Sequence, residues 1–175
     1  MKKLFIPIIL GTAREGRKSE HVARFVHEYA QEYGFDTQIV DVKEFPFAGT
    51  MGSAELKEKW SAIAGKADGF VIVAPEYNFS FPGELKLLLD SIYTEYGNKP
   101  LGICGVSAGG LGASRMIEQL KLVAIALEMI PIKNSVHFSH VGEIIDESGA
   151  IKDVDAYKKK LGNFFEALAA HVSKK

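Results

Sequence analysis

Three short stretches hold most of the side chains in this sequence that are capable of chemistry. The densest is Pro75-Glu76-Tyr77-Asn78-Phe79-Ser80-Phe81-Pro82-Gly83-Glu84-Leu85-Lys86. It gathers a carboxylate, an amide and three aromatic rings, a set that suits the face and polar edge of a flat ligand. A second stretch, Gly11-Thr12-Ala13-Arg14-Glu15-Gly16-Arg17-Lys18-Ser19, adds hydroxyls at Thr12 and Ser19 to cations at Arg14, Arg17 and Lys18. Hydroxyls, cations and unpaired backbone N–H groups at the start of a helix are what a phosphate needs. The third, Ser107-Ala108-Gly109-Gly110-Leu111-Gly112, has no side chain at 109, 110 and 112, so a planar group can come close to its backbone. The spacing matches neither Gly-x-Gly-x-x-Gly nor Gly-x-x-x-x-Gly-Lys-Ser/Thr, which argues against a dinucleotide fold and a P-loop. Each stretch alone is also compatible with a solvated turn. Their placement decides the matter.

Hydrophobic patterning supplies that placement. Residues 4–10, 37–42, 70–74 and 101–106 read as strands, with a short fifth around 129–132. The first, third and fourth run directly into the three stretches. Helical spacing follows each strand. Val22, Phe25, Val26, Tyr29 and Tyr33 form one face from His21 to a stop at Gly34. Leu56, Trp60, Ile63 and Ala64 form another behind a cap at Ser53. Leu85, Leu88, Leu89 and Ile92 follow over about 82–93, with Pro82 in the first turn. Ile117, Leu120, Ala124 and Leu127 define a long helix, and Tyr157, Leu161, Phe164, Phe165 and Leu168 define the last, over about 154–171. Residues 44–52 read as a turn-rich connection, and 135–151 carry mixed patterning with no firm element. Alternating strands and helices imply an α/β, doubly wound parallel sheet. Right-handed crossovers bring the ends of strands one, three and four to one edge, where such sheets bind ligands.

With 175 residues, 47% apolar and 25% charged, the chain fits a single soluble globular domain spanning 1–175. A formal charge of −1 gives no reason to expect nucleic acid or an anionic membrane as partner. No apolar run approaches the ~20 residues that span a bilayer. The first ten residues superficially mimic a secretory signal, yet they lead into a glycine loop and a helix pattern. The single cysteine, Cys104, excludes an internal disulfide and a cysteine-based metal site, and a cytoplasmic location is expected. Histidines 21, 27, 137, 140 and 171 are scattered and read as surface or packing residues. Asp41, Asp90, Arg17 and Lys18 read as solvated. Leu87-Leu88-Leu89 and residues 122–127 are apolar on more than one helix face, which points to a homo-oligomer interface.

A phosphate-type loop, an aromatic and amide loop and a glycine loop at one sheet edge suit a mononucleotide with a large planar ring. Flavin mononucleotide (FMN) is the obvious candidate. The motifs Gly-Thr-Ala-Arg…Ser, Pro-Glu-Tyr-Asn-x-Ser-x-Pro-Gly-x-Leu-Lys at 75–86 and Ser-Ala-Gly-Gly-Leu-Gly-Ala-Ser-Arg at 107–115 resemble those of the NAD(P)H-dependent FMN reductase family, which includes quinone, azo-dye and chromate reductases. The resemblance covers about 4–132 and implies a flavodoxin-like five-stranded sheet of order 2-1-3-4-5. It further implies that Thr12, Arg14, Ser19, Glu20 and His21 surround the FMN phosphate. Pro75, Glu76, Tyr77 and Asn78 would then line the ring, with Ser107, Gly109 and Gly110 on its other side. Thr12 stands where serine is common, His21 where some relatives have asparagine, and the loop from Arg14 to Ser19 is longer than in some members.

The activity implied is hydride transfer from NAD(P)H through FMN to a small-molecule electron acceptor such as a quinone, an azo compound or free flavin, in a ping-pong cycle. No side chain of this chain is expected to act as an obligatory acid or base, and dimers or tetramers are implied. A flavodoxin-like electron carrier is the alternative, although such carriers tend to be strongly acidic. A flavin-binding protein without substantial turnover is a third reading.

Overall fold

The computed structural model describes residues 3–46 and 53–172. Most of the connection expected over 44–52 lies outside them. Five parallel strands form one sheet: β1 (Ile8–Leu10), β2 (Ile39–Asp41), β3 (Phe70–Pro75), β4 (Pro100–Val106) and β5 (Ile130–Phe138), in the order β2-β1-β3-β4-β5. Six α-helices are described: α1 (Ser19–Tyr33), α2 (Ala54–Lys66), α3 (Gly83–Asp90), α4 (Ser114–Ala126), α5 (Val141–Ile144) and α6 (Val154–Val172).

The helices divide between the two sheet faces, and each face has its own core. Phe70, Ile72 and Ala74 of β3 point to one face, where Trp60, Leu85, Leu88, Met116 and Leu120 come from α2, α3 and α4. Val71 and Val73 point to the other, against Val22 and Val26 of α1 and Leu161, Phe164 and Phe165 of α6. The unbroken apolar run in β3 is therefore the signature of a strand covered on both sides. Gly102 in β4 makes room for the tip of the Phe164 ring, since a Cβ there would sit 2.3 Å from it.

Several boundaries depart from the sequence expectation. β1 is shorter than 4–10 because Pro7 has no N–H to give to the ladder, although Ile6 and Ile8 still donate to Asp36 (2.8 Å) and Gln38 (2.9 Å) carbonyls. α1 begins at Ser19 rather than His21 and ends as expected at Gly34, whose φ of 110° closes it. Ser53 caps α2, accepting from the Leu56 N–H at 3.2 Å. Pro82 precedes α3 in an extended conformation instead of lying in its first turn. β5 has nine residues, far beyond 129–132, and its register against β4 shifts between Leu101 and Ile103. The consecutive leucines of α3 belong to the core, with Leu88 and Leu89 buried and Leu87 partly so. No helix among the described residues is long and apolar enough to cross a membrane.

Beneath α2 and α3, the Trp60 indole N–H donates to the Tyr96 hydroxyl at 2.8 Å, and that hydroxyl donates to the Leu89 carbonyl at 3.1 Å. Both side chains are fully buried, and burial pushes the phenol's pKa well up. Tyr96→Phe leaves the indole N–H and one carbonyl unpaired, so a loss of about 1–3 kcal/mol is expected in urea denaturation. A variant as stable as the parent would show that solvent or relaxation supplies other partners.

Candidate active site

The ends of β1, β3 and β4 converge as their order requires. Between them lies a cleft of about 340 Å³ lined by Arg14 to Ser19, Pro75 to Tyr77, Val106 to Ala108 and Val141. Thr12 is fully buried at its base, where its hydroxyl meets the Tyr77 hydroxyl at 3.2 Å and accepts from the Arg14 N–H at 3.3 Å. Ser19 is the first residue of α1, and its hydroxyl is buried with no hydrogen-bond partner. A buried, unpaired hydroxyl beside the open N–H groups of a helix start lacks only an acceptor or an anion.

Arg17 is not solvated. Its side chain is only 8% exposed and is spent within the protein. The guanidinium grips the Asp41 carboxylate at the end of β2, with Nη1 2.8 Å from one oxygen and Nη2 donating to the other. It also donates to the Thr12 carbonyl and, at 3.3 Å, to Glu20. Asp41 is thus an ion-pair partner, not a free carboxylate. Glu20 lies below the usual carboxylate range because Arg24, and then Arg17, hydrogen-bond it against the cost of burial. By contrast, no carboxylate among the described residues pairs with Arg14 or Lys18. Glu20 and His21 line a neighbouring depression with Arg24 and Lys43 rather than the cleft itself. His21 also closes on Gly149, where a Cβ would lie 2.3 Å from its ring.

The aromatic loop is a two-residue hairpin. Tyr77 and Ser80 exchange backbone hydrogen bonds of 2.8 and 2.9 Å around Asn78 and Phe79, whose φ angles are 49° and 70°. Asparagine tolerates this left-handed region; phenylalanine is strained there. A clamp holds it. Glu76 accepts from Arg115 at 2.7 and 2.8 Å, and its second oxygen accepts from the Met116 N–H at 3.3 Å in the first turn of α4. The same guanidinium stacks 3.9 Å from the centre of the Phe79 ring. Asn78 and Phe79 are exposed beside the cleft.

The glycine loop is held from behind by residues 137–141. Ser107 Oγ and the His140 N–H both donate to the Gly109 carbonyl, at 2.6 and 3.1 Å. Ser139 Oγ donates to the Gly110 carbonyl at 3.0 Å, and His137 Nδ1 donates to that of Gly112 at 2.9 Å. Gly112 has φ 54°, and a Cβ there would collide with His137 at 2.4 Å. With these carbonyls taken, the loop is left with peptide N–H groups at 108–110 that have no protein acceptor among the described residues. That polarity suits a ligand edge that gains negative charge. Cys104 lies beneath, fully buried, and burial pushes its thiol far up, so it is inert packing.

A scan against protein families matches residues 5–143 to the family described as NADPH-dependent FMN reductase. The chain belongs to that family. An NAD(P)H-dependent FMN reductase of Schizosaccharomyces pombe is 31% identical over 97% of this chain and 93% of its own length. A 2-hydroxy-1,4-benzoquinone reductase of a Burkholderia species is 29% identical over 97% and 96%. Among solved structures, a flavoenzyme NAD(P)H:(acceptor) oxidoreductase from Paracoccus denitrificans superposes with a TM-score of 0.82 at 18% identity, covering 98% of both chains. A flavodoxin from Streptococcus pneumoniae superposes at 0.62 with 14% identity, over 95% of this chain and 98% of its own, so the fold is flavodoxin-like.

Within this reductase framework, Arg14, Ser19, Pro75, Glu76, Tyr77 and Ser107 line the cleft; Thr12 is buried against Tyr77, and Asn78, Gly109 and Gly110 are exposed just beyond lining residues in sequence without lining it themselves. Sequence reasoning did not assign a role to Val141, Asp41 or Arg115. Arg115 was within reach, since it closes the third motif, but its partner Glu76 lies 39 positions away. Glu76→Ala removes both the cap on α4 and the clamp on the hairpin. Faster amide exchange at Met116 and Ser80 is expected, with a stability loss of about 1–2 kcal/mol; unchanged exchange at both would show the clamp to be incidental.

Proposed function

We propose that this chain is an FMN-containing, NAD(P)H-oxidising reductase of small acceptors such as quinones, azo compounds or free flavin. The observation that carries this reading is the unpaired, buried Ser19 hydroxyl at the start of α1, in a cleft shared with the hairpin and the glycine loop. The residues present fit the cofactor. Thr12, Arg14, Ser19 and the open N–H groups at the start of α1, at Ser19 and His21, would hold the phosphate, the Glu20 N–H being already given to the Arg17 carbonyl. Pro75 to Asn78 would line the ring on one side, and Ser107, Gly109 and Gly110 on the other. When bound, FMN supplies the redox chemistry, taking a hydride from the nicotinamide and passing two electrons to the acceptor in a ping-pong cycle.

The chain's own part is binding, orientation and charge. Tyr77 ties the ring loop to the phosphate loop through Thr12, so both ends of a bound mononucleotide meet parts of one rigid unit. The Glu76–Arg115 clamp holds the hairpin at the cleft mouth, where Asn78 and Phe79 border the space an exchangeable acceptor would occupy. The free N–H groups of the glycine loop favour the anionic state of whatever edge they face. This reading asks no side chain to act as an obligatory acid or base. The near-neutral charge of −1 favours a reductase over an electron carrier that docks on proteins. We read the chain as one cytoplasmic folding unit carrying one such site.

The purified protein is expected to take up FMN. Under anaerobic conditions, NADPH or NADH should bleach its visible bands in one prompt phase, and benzoquinone should restore them. An electron carrier would reduce slowly with NAD(P)H and in two separate stages. A protein that neither binds FMN nor consumes NAD(P)H overturns the reading.

The second copy belongs to the same proposal. Helix α4 leaves Leu122 68% and Ile125 59% exposed, and Leu111 is 59% exposed just before it. Leu122 and Ile125 do not pack into the monomer core, and a homodimer or homotetramer through α4 would cover them. Leu122→Glu is expected to shift the protein to monomer in analytical ultracentrifugation, while the parent sediments as an oligomer. A monomeric parent would place the interface reading in error.

A further inference from the structure

The loop between Thr12 and Ser19 carries three cations, and the structure divides them into two kinds. Arg14 and Lys18 are exposed beside the cleft with no carboxylate partner among the described residues. Arg17 is turned inward, and four of its five N–H donors have acceptors: Glu20, the Thr12 carbonyl and both oxygens of Asp41. Burial alone would lower its pKa, yet the Asp41 and Glu20 carboxylates raise it above the ordinary arginine value. A guanidinium so engaged has no fork left for a phosphate.

Arg17 nevertheless sits where it controls the phosphate groups. Lys18 is the cap residue of α1 but makes no side-chain cap, and Ser19 follows it. The Arg17 carbonyl accepts from the Glu20 N–H at 3.4 Å. Its guanidinium holds the Thr12 carbonyl on one side and the end of β2 on the other, at a sequence distance of 24. Asp41 is itself fixed, accepting from the Lys43 N–H at 2.9 Å.

Resting on the FMN reading above, we propose that Arg17 is a positioning residue of the phosphate subsite. Bridged to Asp41, it fixes the loop so that Thr12, Ser19 and the first N–H groups of α1 converge on a phosphate that Arg17 does not touch. Glu20 and Asp41 put two negative charges near an anion site, and Arg17 is the internal counter-ion that makes them tolerable.

The two possible roles of Arg17 predict opposite signs for one substitution. If Arg17 bound the phosphate directly, Asp41→Asn would remove a repelling charge, free the guanidinium and tighten FMN binding. If Arg17 acts through Asp41, the same change loosens the loop and weakens binding. Dissociation constants for FMN and for riboflavin, which has no phosphate, are measured by quenching of flavin fluorescence. Asp41→Asn and Arg17→Met are each expected to weaken FMN by about tenfold and riboflavin by no more than about twofold. The double variant should be no weaker than the worse single one. Arg17→Lys, which keeps the charge and perturbs folding least, should also bind FMN several-fold more weakly, because an ammonium lacks the fork that holds Asp41. The proposal is overturned if Asp41→Asn or Arg17→Lys binds FMN as tightly as the parent or tighter. Equal weakening of both flavins also overturns it, since that marks general damage. A parent protein that binds riboflavin but gains nothing from the phosphate removes this proposal alone; one that binds neither flavin removes the FMN reading with it.

Discussion

Burial of β3 on both faces of the sheet governs where this molecule can do chemistry. Phe70, Ile72 and Ala74 are sealed by α2, α3 and α4, and Val71 and Val73 by α1 and α6. A strand with no wet side can present polar groups only at its ends. Parallel pairing of β1, β3 and β4 then aligns three carboxyl ends, and the loops beyond them become the one place where backbone N–H groups and side chains can face a ligand together. The cleft is a consequence of the sheet order.

Much of this was legible in the sequence because double burial leaves an unmistakable run at 70–74, and because helices following strands permit few topologies. The convergence of the loops that carry Thr12, Ser19, Pro75–Tyr77 and Ser107 followed from that, while the strand order came from the resemblance of the three motifs to those of the reductase family. What escaped detection were contacts with no local signature. β5 reads as short because its exposed positions, Lys133 and Asn134 among them, interrupt the apolar pattern where an edge strand bulges away from β4. Arg17 and Asp41 look like surface charges because neither sequence neighbourhood shows that the end of β2 returns to the first loop. The leucines of α3 looked like an interface because consecutive apolar residues cannot all share one narrow stripe, yet this short helix is covered on most sides.

Each of the three loops is tied by a residue from elsewhere in the chain. Asp41 secures the first loop through Arg17, α4 secures the hairpin through Arg115, and residues 137–141 secure the glycine loop. None of the three ties is made within its own loop, which is why motif spacing names the loops but not what fixes them. Such anchoring is what a site needs if its dipoles are to be aligned before a ligand arrives, since reorienting them afterwards would cost free energy at the moment of reaction.

The ties also set the polarity of the cleft. In the glycine loop, His137, Ser139 and His140 occupy the carbonyls, so the N–H ends remain. In the loop after β1, Asp41 and Glu20 occupy the Arg17 guanidinium, so Arg14 and Lys18 remain. In the hairpin, Arg115 occupies Glu76, so the acid that this loop brings to the cleft wall is paired. The left-handed Phe79 costs about 1–2 kcal/mol. Stacking on a guanidinium that is already held by Glu76 offsets part of that, and the offset requires the same ion pair that engages the acid. Each of these three ties thus also withdraws a negative or acceptor group from the space between the loops, so that donors and cations predominate there and Glu15 is the exposed carboxylate left at the wall. That polarity suits an anionic, acceptor-edged ligand by what has been taken away as much as by what is presented.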